Sequence, residues 1–221
     1  MQHKVLLLHV KMNKQTEDIK AIREMMEKSS KFLSLSGLSG VLAGITAILG
    51  AGFAYFYILP DPSLMDCVSK GKIFMLLADA LITLFISIGF VFYFSYRKAQ
   101  KNKQKLFSKV ALRTLYNFAI PLLCGGVFCL VHLLRGNVEI AMSASLLFYG
   151  LALVNVSKYT FEEVHSLGIV EITLGMAAVI LSFPYAGILF WTIGFGVCHI
   201  IYGSMMYVKY DIKPQKNEKE F

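Results

Sequence analysis

Six long apolar runs are the feature of this sequence that most restricts its fold. Each run is close to the roughly 20 residues that a helix needs to cross the hydrocarbon layer of a bilayer. Hydrophobic residues make up 56% of the chain and charged residues 16%, whereas soluble domains carry about 25% charged residues. We therefore predict an all-α membrane protein, a bundle of six transmembrane helices at about 32–59, 73–96, 115–134, 138–156, 167–183 and 186–208.

Pro184 and Tyr185 are the only residues between the last two runs. Proline removes a backbone donor and clashes with the preceding turn of a helix. The sequence therefore predicts a tight hairpin at this point, rather than one helix of about 40 residues through both runs.

Lysine and arginine residues alternate across the six predicted spans. Of the 22, seven lie in the N-terminal arm, seven between the second and third spans, one in the fourth loop and four in the tail. Only Lys70, Lys72 and Arg135 fall on the other side. Because cytoplasmic loops carry the excess of positive charge, both termini are predicted to be cytoplasmic. The basic loops are expected to contact anionic lipid, so the net charge does not indicate nucleic-acid binding.

A polar and basic arm, residues 1–31, precedes the first span, and a polar tail, residues 209–221, follows the last. Residues 14–31 are predicted to form an amphipathic cytoplasmic helix. The apolar residues that share one of its faces are Ile19, Ile22 and Met26. Such a helix lies on a membrane surface or docks on a partner, either a cytoplasmic protein or a second copy of the chain. A scaffold or sensor that acts through this helix is therefore one functional interpretation.

Small residues recur at steps of three and four along several predicted spans. The small residues of the first span are Gly37, Gly40, Gly44, Ala47 and Ala51. Those of the fifth span, which flank Glu171 on the same face, are Gly168, Gly175, Ala178 and Ser182. On the sixth span, His199 shares a face with Thr192, Gly196 and Gly203. Small side chains let helix backbones approach closely in lipid, so we expect helix-packing surfaces at these positions.

Three ionisable residues lie within the predicted spans and away from their ends, namely Asp79, Glu171 and His199. A charge in the bilayer costs several kcal/mol, so such residues usually face the bundle interior and serve a function. Glu171, His199 and Ser39 all lie about 12 to 15 Å from the cytoplasmic edge, by the helical rise. We predict that they form one inward-facing polar cluster, and that Asp79 faces inward in the outer half.

This polar cluster favours a small proton- or ion-coupled transporter or channel in which Glu171 is the protonatable group. Six spans also allow two inverted repeats of three, with Asp79 in the second span matching Glu171 in the fifth. Pro121 and the pair Gly125–Gly126 are expected to break the third span, as in the discontinuous helices of transporters.

Two enzymatic or metal-binding alternatives are less well supported by the sequence. "GLSG" at residues 37–40 and "HIIYG" at 199–203 resemble the serine and histidine motifs of rhomboid proteases. Those enzymes carry the serine on their fourth span rather than their first, so an intramembrane hydrolase is a minor alternative. A metal or haem site would have to draw on residues at different depths, so we predict neither a metal nor a cofactor. Its candidate ligands are Cys124, Cys129, His132, Cys198 and His199.

The segment "IREMMEKSSKFLSLSGLSGVLAGITAILGA", residues 22–51, resembles a family of uncharacterised integral membrane proteins of Bacteroidota. The resemblance covers this segment and, more loosely, the six-span layout. It implies a multi-pass protein of a bacterial inner membrane. It implies no substrate, cofactor or site residue.

Overall fold

A computed structural model of the chain describes residues 35–59, 68–101, 108–181 and 183–212. These ranges are helical apart from short turns and contain no strand. The predicted arm helix, the tail beyond Ile212 and Cys67 lie outside the described residues. The helices are α1 (Gly37–Ile58), α2 (Lys70–Lys101), α3 (Lys109–Leu134), α4 (Val138–Ser157), α5 (Glu162–Leu181) and α6 (Ala186–Ile212).

All six helices are long and apolar enough to cross a membrane. The prediction of an all-α chain with six such helices is therefore confirmed. The largest difference in bounds is at α3, which begins at Lys109 rather than at residue 115. Ser108 caps this earlier start, because its Oγ accepts a hydrogen bond from the Ala111 N–H at 3.1 Å. A helix is set by backbone hydrogen bonds and caps, so it continues beyond the apolar segment that predicts it.

The break between α5 and α6 falls at Pro184 and Tyr185, which form a turn. Tyr185 adopts a left-handed conformation with φ of 66°, which ends regular helix because a side chain crowds the following carbonyl there. The tight hairpin predicted at this position is present.

The prediction that α3 is discontinuous is wrong, since the helix runs through Pro121 from Lys109 to Leu134. Proline removes one backbone donor, and a helix whose other hydrogen bonds are intact can continue through it. Irregular helix occurs instead in α6, where Thr192–Cys198 and Tyr207–Ile212 are π-helical. Another π-helical turn, Ala54–Ile58, ends α1.

Helix α6 lies at the centre of the arrangement. It packs against α1 on one side and against α4 and α5 on the other. Helix α2 packs on the outside of α1, and α3 packs on the outside of α4. We call the end of the bundle that holds Ser36, Lys98, Phe161 and Asp211 the basal end, and the opposite end the distal end.

Glycines form the two closest helix crossings. In the α1–α6 crossing, a Cβ on Gly203 would lie 2.6 Å from the Val41 nitrogen, and one on Gly44 would lie 2.6 Å from the Gly196 oxygen. Gly37 and Gly40 face the same stretch of α6. The backbones are therefore in direct contact, which no larger residue would allow at these positions.

The second crossing joins α4 and α5. A Cβ on Gly168 would lie 2.9 Å from the Gly150 oxygen, and one on Gly175 would lie 2.9 Å from the Ser143 oxygen. The small face of α5 is thus filled by the backbone of α4. Glu171 lies between these two glycines on the same face of α5, so the crossing carries its carboxylate into the interior.

Candidate functional site

Glu171 is one of the most deeply buried side chains in the described part of the chain, with 0% exposure. It projects from α5 towards the π-helical segment of α6. A Cβ on Gly194 would overlap Glu171 Oε2 and lie 2.6 Å from a methyl group of Leu146. Gly194 therefore leaves the space that the carboxyl group occupies between α4, α5 and α6.

His199 faces this carboxyl group from α6. Its Nδ1 lies 3.4 Å from Glu171 Oε1 and 3.0 Å from the backbone oxygen of Gly194. A carbonyl oxygen only accepts hydrogen bonds, so these partners assign a proton to Nδ1. The structure therefore brings together Glu171 and His199, two residues that are 28 positions apart in the sequence.

Tyr149 on α4 completes the group. Its hydroxyl lies 2.8 Å from His199 Nε2. With Nδ1 protonated, a neutral imidazole accepts this hydrogen bond from the tyrosine, and an imidazolium donates it. The ring centroid of Tyr149 also lies 4.9 Å from that of Phe195 and 6.0 Å from that of Phe118. The ring centroids of Tyr149 and Phe195 lie 5.4 and 5.8 Å from that of the imidazole, so aromatic rings hold it in place. We call Glu171, His199 and Tyr149 the buried triad.

The π-helical segment Thr192–Cys198 lies directly before His199. Such segments occur mostly as single turns within α-helices, and often at functional sites. Here the Gly194 oxygen, five residues before His199, accepts from the imidazole. The irregular turn therefore supplies both the space for the carboxyl group and a fixed acceptor for the imidazole.

The carboxyl oxygens of Glu171 have no hydrogen-bond partner among the described residues. An ionised carboxylate in such a place is costly unless a positive charge faces it. The 3.4 Å contact with His199 gives two ways to reduce that cost. Either an imidazolium faces a carboxylate, or the proton resides on the carboxyl group and both groups are neutral. The site can therefore hold one proton in either of two positions.

Ser39 is buried, and its Oγ donates to the Ser36 oxygen of its own chain segment at 2.6 Å. A buried hydroxyl satisfied by its own backbone is a common arrangement in helices. The described contacts give it no bond to Glu171 or His199. The structure thus brings together two of the three residues of the predicted inner cluster.

Asp79 is half-buried on α2, at the flank of the bundle. Among the described residues it makes no hydrogen bond or ion pair. Thr83, one turn further along α2, is buried and faces Gly50 of α1. Helix α2 packs mainly on α1, and among the described residues no polar contact joins Asp79 to α5 or α6, so Asp79 and Glu171 are not part of one group.

Two polar residues of the interior were missed by the sequence reasoning. Tyr149 lies in the uninterrupted apolar run of α4, so only its hydroxyl could have signalled a role. Glu139, the second residue of α4, accepts a hydrogen bond from the Gly187 N–H at the start of α6. It is the second residue of the predicted fourth span, where an acid can reach the membrane surface, so its position did not indicate burial.

No group of three or more histidine, cysteine, aspartate or glutamate residues in the described ranges could hold a metal ion. Cys124 and Cys129 are on α3 and Cys198 is on α6, all as free thiols. An open groove of about 690 Å³ lies at the α4–α5 connection, lined by Ser157, His165 and neighbouring residues. It is separate from the buried triad.

Comparison with protein-family models, with curated proteins and with solved structures found no match to this chain.

Proposed function

We propose that this chain is a multi-pass protein of a bacterial inner membrane, with both termini in the cytoplasm, that moves protons or an ion coupled to them. Glu171 is its protonatable group. Six apolar helices and the charge asymmetry of the loops support the membrane topology. The resemblance of residues 22–51 to integral membrane proteins of Bacteroidota supports the bacterial inner membrane.

The observation that carries the proposal is the fully buried Glu171, opposed by His199 at 3.4 Å. An apolar residue of similar volume would fill the same space without the cost of desolvating a charge. An acid is kept at such a position when its protonation is used. The glycine at position 194, which makes room for the carboxyl group, fits this interpretation.

The proton step follows from the geometry. In one state the imidazolium of His199 faces the carboxylate of Glu171, and Nε2 donates to Tyr149. Transfer of the Nδ1 proton to Glu171 Oε1 leaves two neutral groups, and the Gly194 oxygen then loses its donor. A change of protonation thus alters a hydrogen bond inside the π-helical segment, where helix geometry is already irregular. This links the charge of the site to the conformation of α6.

A second candidate function is a scaffold or sensor whose helices serve only to position its cytoplasmic arm. Complete burial of Glu171 favours a scaffold or sensor, because no part of its side chain is exposed to water. In a transporter the same burial corresponds to an occluded state that must open during the cycle. Flux measurements separate the two.

The decisive experiment compares the wild-type protein with Glu171→Gln in liposomes that enclose a pH-sensitive dye. With an imposed pH gradient, we expect the proton flux of the variant to fall about 100-fold, the scale on which a positioned proton-transfer group contributes. The matched control is Glu162→Gln, which removes an exposed acid from the same helix and should leave the flux unchanged.

Two results would contradict the proposed transport by Glu171. Absence of flux in the wild-type protein, under gradients of either sign and with a membrane potential, would refute the transport function and leave the scaffold. Equal flux in the wild type and Glu171→Gln would show that protons cross elsewhere.

A further inference from the structure

A carboxylate at the basal end of α6 joins three helices. Asp211 Oδ1 lies 2.6 Å from Lys98 Nζ of α2. Asp211 Oδ2 accepts from Ser36 Oγ at 2.9 Å and from the Gly37 N–H, the first residue of α1, at 3.1 Å. Lys98 Nζ also donates to the Leu35 oxygen at 2.8 Å. We call Ser36, Lys98 and Asp211 the basal cluster.

This cluster replaces the ordinary cap of α1. Ser36 occupies the N-cap position, but its side chain makes no capping hydrogen bond. The free N–H of Gly37 is instead satisfied by the carboxylate of Asp211, which also places a negative charge at the positive end of the helix. Release of Asp211 would therefore leave the start of α1 without a cap as well as breaking the ion pair.

Burial makes the Lys98–Asp211 pair costly to break. The side chains of Lys98 and Asp211 are only 13% and 12% exposed. A nearby pair, Lys209 with Glu163 of α5, is also 2.6 Å long, but the lysine side chain is 59% exposed. Exposed ion pairs contribute little, whereas loss of one partner of a buried pair is costly. The basal cluster is therefore the stronger of the two links that hold the end of α6.

The cluster and the buried triad are on the same helix. His199 precedes Asp211 by 12 residues, or about 18 Å of helix. One π-helical segment, Thr192–Cys198, ends directly before His199, and another, Tyr207–Ile212, contains Asp211. Between the two segments, His199–Met206 is regular α-helix. A force that fixes the end of α6 therefore also limits movement at His199.

We infer that the basal cluster is a latch that holds α6 against α1 and α2 and so keeps the buried triad closed from the basal end. The inference rests on the proposed function for its purpose, because a latch on α6 would regulate access to Glu171. The contacts of Asp211 are by themselves the evidence that the latch exists. Opening of the latch separates the end of α6 from α1 and admits water towards His199.

Cys198, the half-buried residue next to His199, is a natural reporter of this opening. In a background where the other three cysteines are replaced by alanine, a water-soluble maleimide modifies Cys198 only when water reaches it. The protein is held in lipid nanodiscs, so both ends are accessible. The replacements are Cys67→Ala, Cys124→Ala and Cys129→Ala.

Asp211→Asn is the main variant. We expect its Cys198 labelling rate to rise on the order of tenfold, the change that loss of one charge-assisted link would give. The reversed pair, Lys98→Asp with Asp211→Lys, should label as fast as Asp211→Asn, because a lysine at position 211 cannot accept from Ser36 Oγ and the Gly37 N–H. Lys209→Gln is the matched control, since it removes an exposed ion pair on the same helix end, and its rate should stay within about twofold of the parent.

Ser36→Ala is a milder variant that tests the latch even if Asp211→Asn does not fold, because it removes one hydrogen bond and keeps the ion pair. Its labelling rate should rise by about two- to fivefold. The inference is overturned if Asp211→Asn and Ser36→Ala both label at the parental rate, or if Lys209→Gln accelerates labelling as much as they do. Faster labelling without flux in any form would refute transport but retain the latch. Flux that depends on Glu171, with unchanged labelling, would support transport and refute the latch.

Discussion

Replacement of Glu171 by methionine tests whether the carboxyl group is kept for stability or for chemistry. Methionine has a similar length and volume and can adapt to the space beside Gly194 and Leu146. It removes a fully buried ionisable group whose oxygens have no hydrogen-bond partner among the described residues. His199 retains the Gly194 oxygen and the Tyr149 hydroxyl as partners, so a neutral imidazole stays satisfied.

We expect Glu171→Met to raise the free energy of unfolding. Replacement of both partners of a buried ion pair by well-packed apolar residues raises stability by about 1 to 4 kcal/mol in favourable cases, and loss of a single partner is costly only where it leaves a charge buried. His199 can be neutral with both of its other partners, so the single replacement leaves no such charge. The contact that is lost, between Glu171 and His199, is 3.4 Å long and poor by hydrogen-bond standards, so it offsets little of this gain. For a chain of this length, each kcal/mol corresponds to a rise of about 2 to 4 °C in Tm. We therefore expect Glu171→Met to melt several degrees higher while losing proton flux.

Thermal unfolding in detergent can be followed through Trp191, the single tryptophan of the chain, whose ring lies 4.9 Å from that of Phe195 beside the triad. Glu162→Met is the control, because an exposed substitution should change stability by about 0.5 kcal/mol or less. A fall in Tm for Glu171→Met, with Glu162→Met unchanged, would show that the carboxyl group stabilises the bundle. The buried acid would then not lower the stability of the protein.

Two further predictions concern the packing and the triad. Gly203→Ala should destabilise the protein by about 1 to 3 kcal/mol, because its Cβ would lie 2.6 Å from the Val41 nitrogen; Gly126→Ala, which meets nothing within 4 Å, should be neutral or slightly stabilising in the same melting assay. Tyr149→Phe keeps the ring contacts but removes the hydroxyl at 2.8 Å from His199, so we expect a loss of about 1 kcal/mol and a changed imidazole ¹⁵N NMR signal, whereas an unchanged signal would contradict the contact.

Much of the fold follows from local sequence. The six apolar runs give six helices because an apolar segment of this length satisfies its own backbone only as helix or barrel in a lipid environment. The turn at Pro184 follows from the missing donor of proline. Pro121 shows the limit of that rule, since the same residue type lies inside an unbroken α3. Whether proline breaks a helix depends on what its neighbours can still satisfy.

The site was predictable only in part. Helical spacing put Glu171 on the same face as Gly168 and Gly175, and this face is indeed buried. Depth along the helices matched Glu171 with His199, but it matched Ser39 equally well. Depth along the membrane normal says nothing about the direction in which a side chain points. It therefore could not distinguish Ser39, which bonds to its own backbone, from His199, which faces Glu171.

By itself the sequence determined that this chain forms six apolar helices, with small residues and a few ionisable groups on defined faces. Those properties follow from composition and from the period of the helix. The tertiary structure decided which faces meet: α6 against α1, and α5 against α4. It also decided that Tyr149 joins Glu171 and His199, and that Asp211 caps α1. These contacts are between helices that are distant in the chain, and they depend on side-chain volumes at the crossings, which no local pattern records.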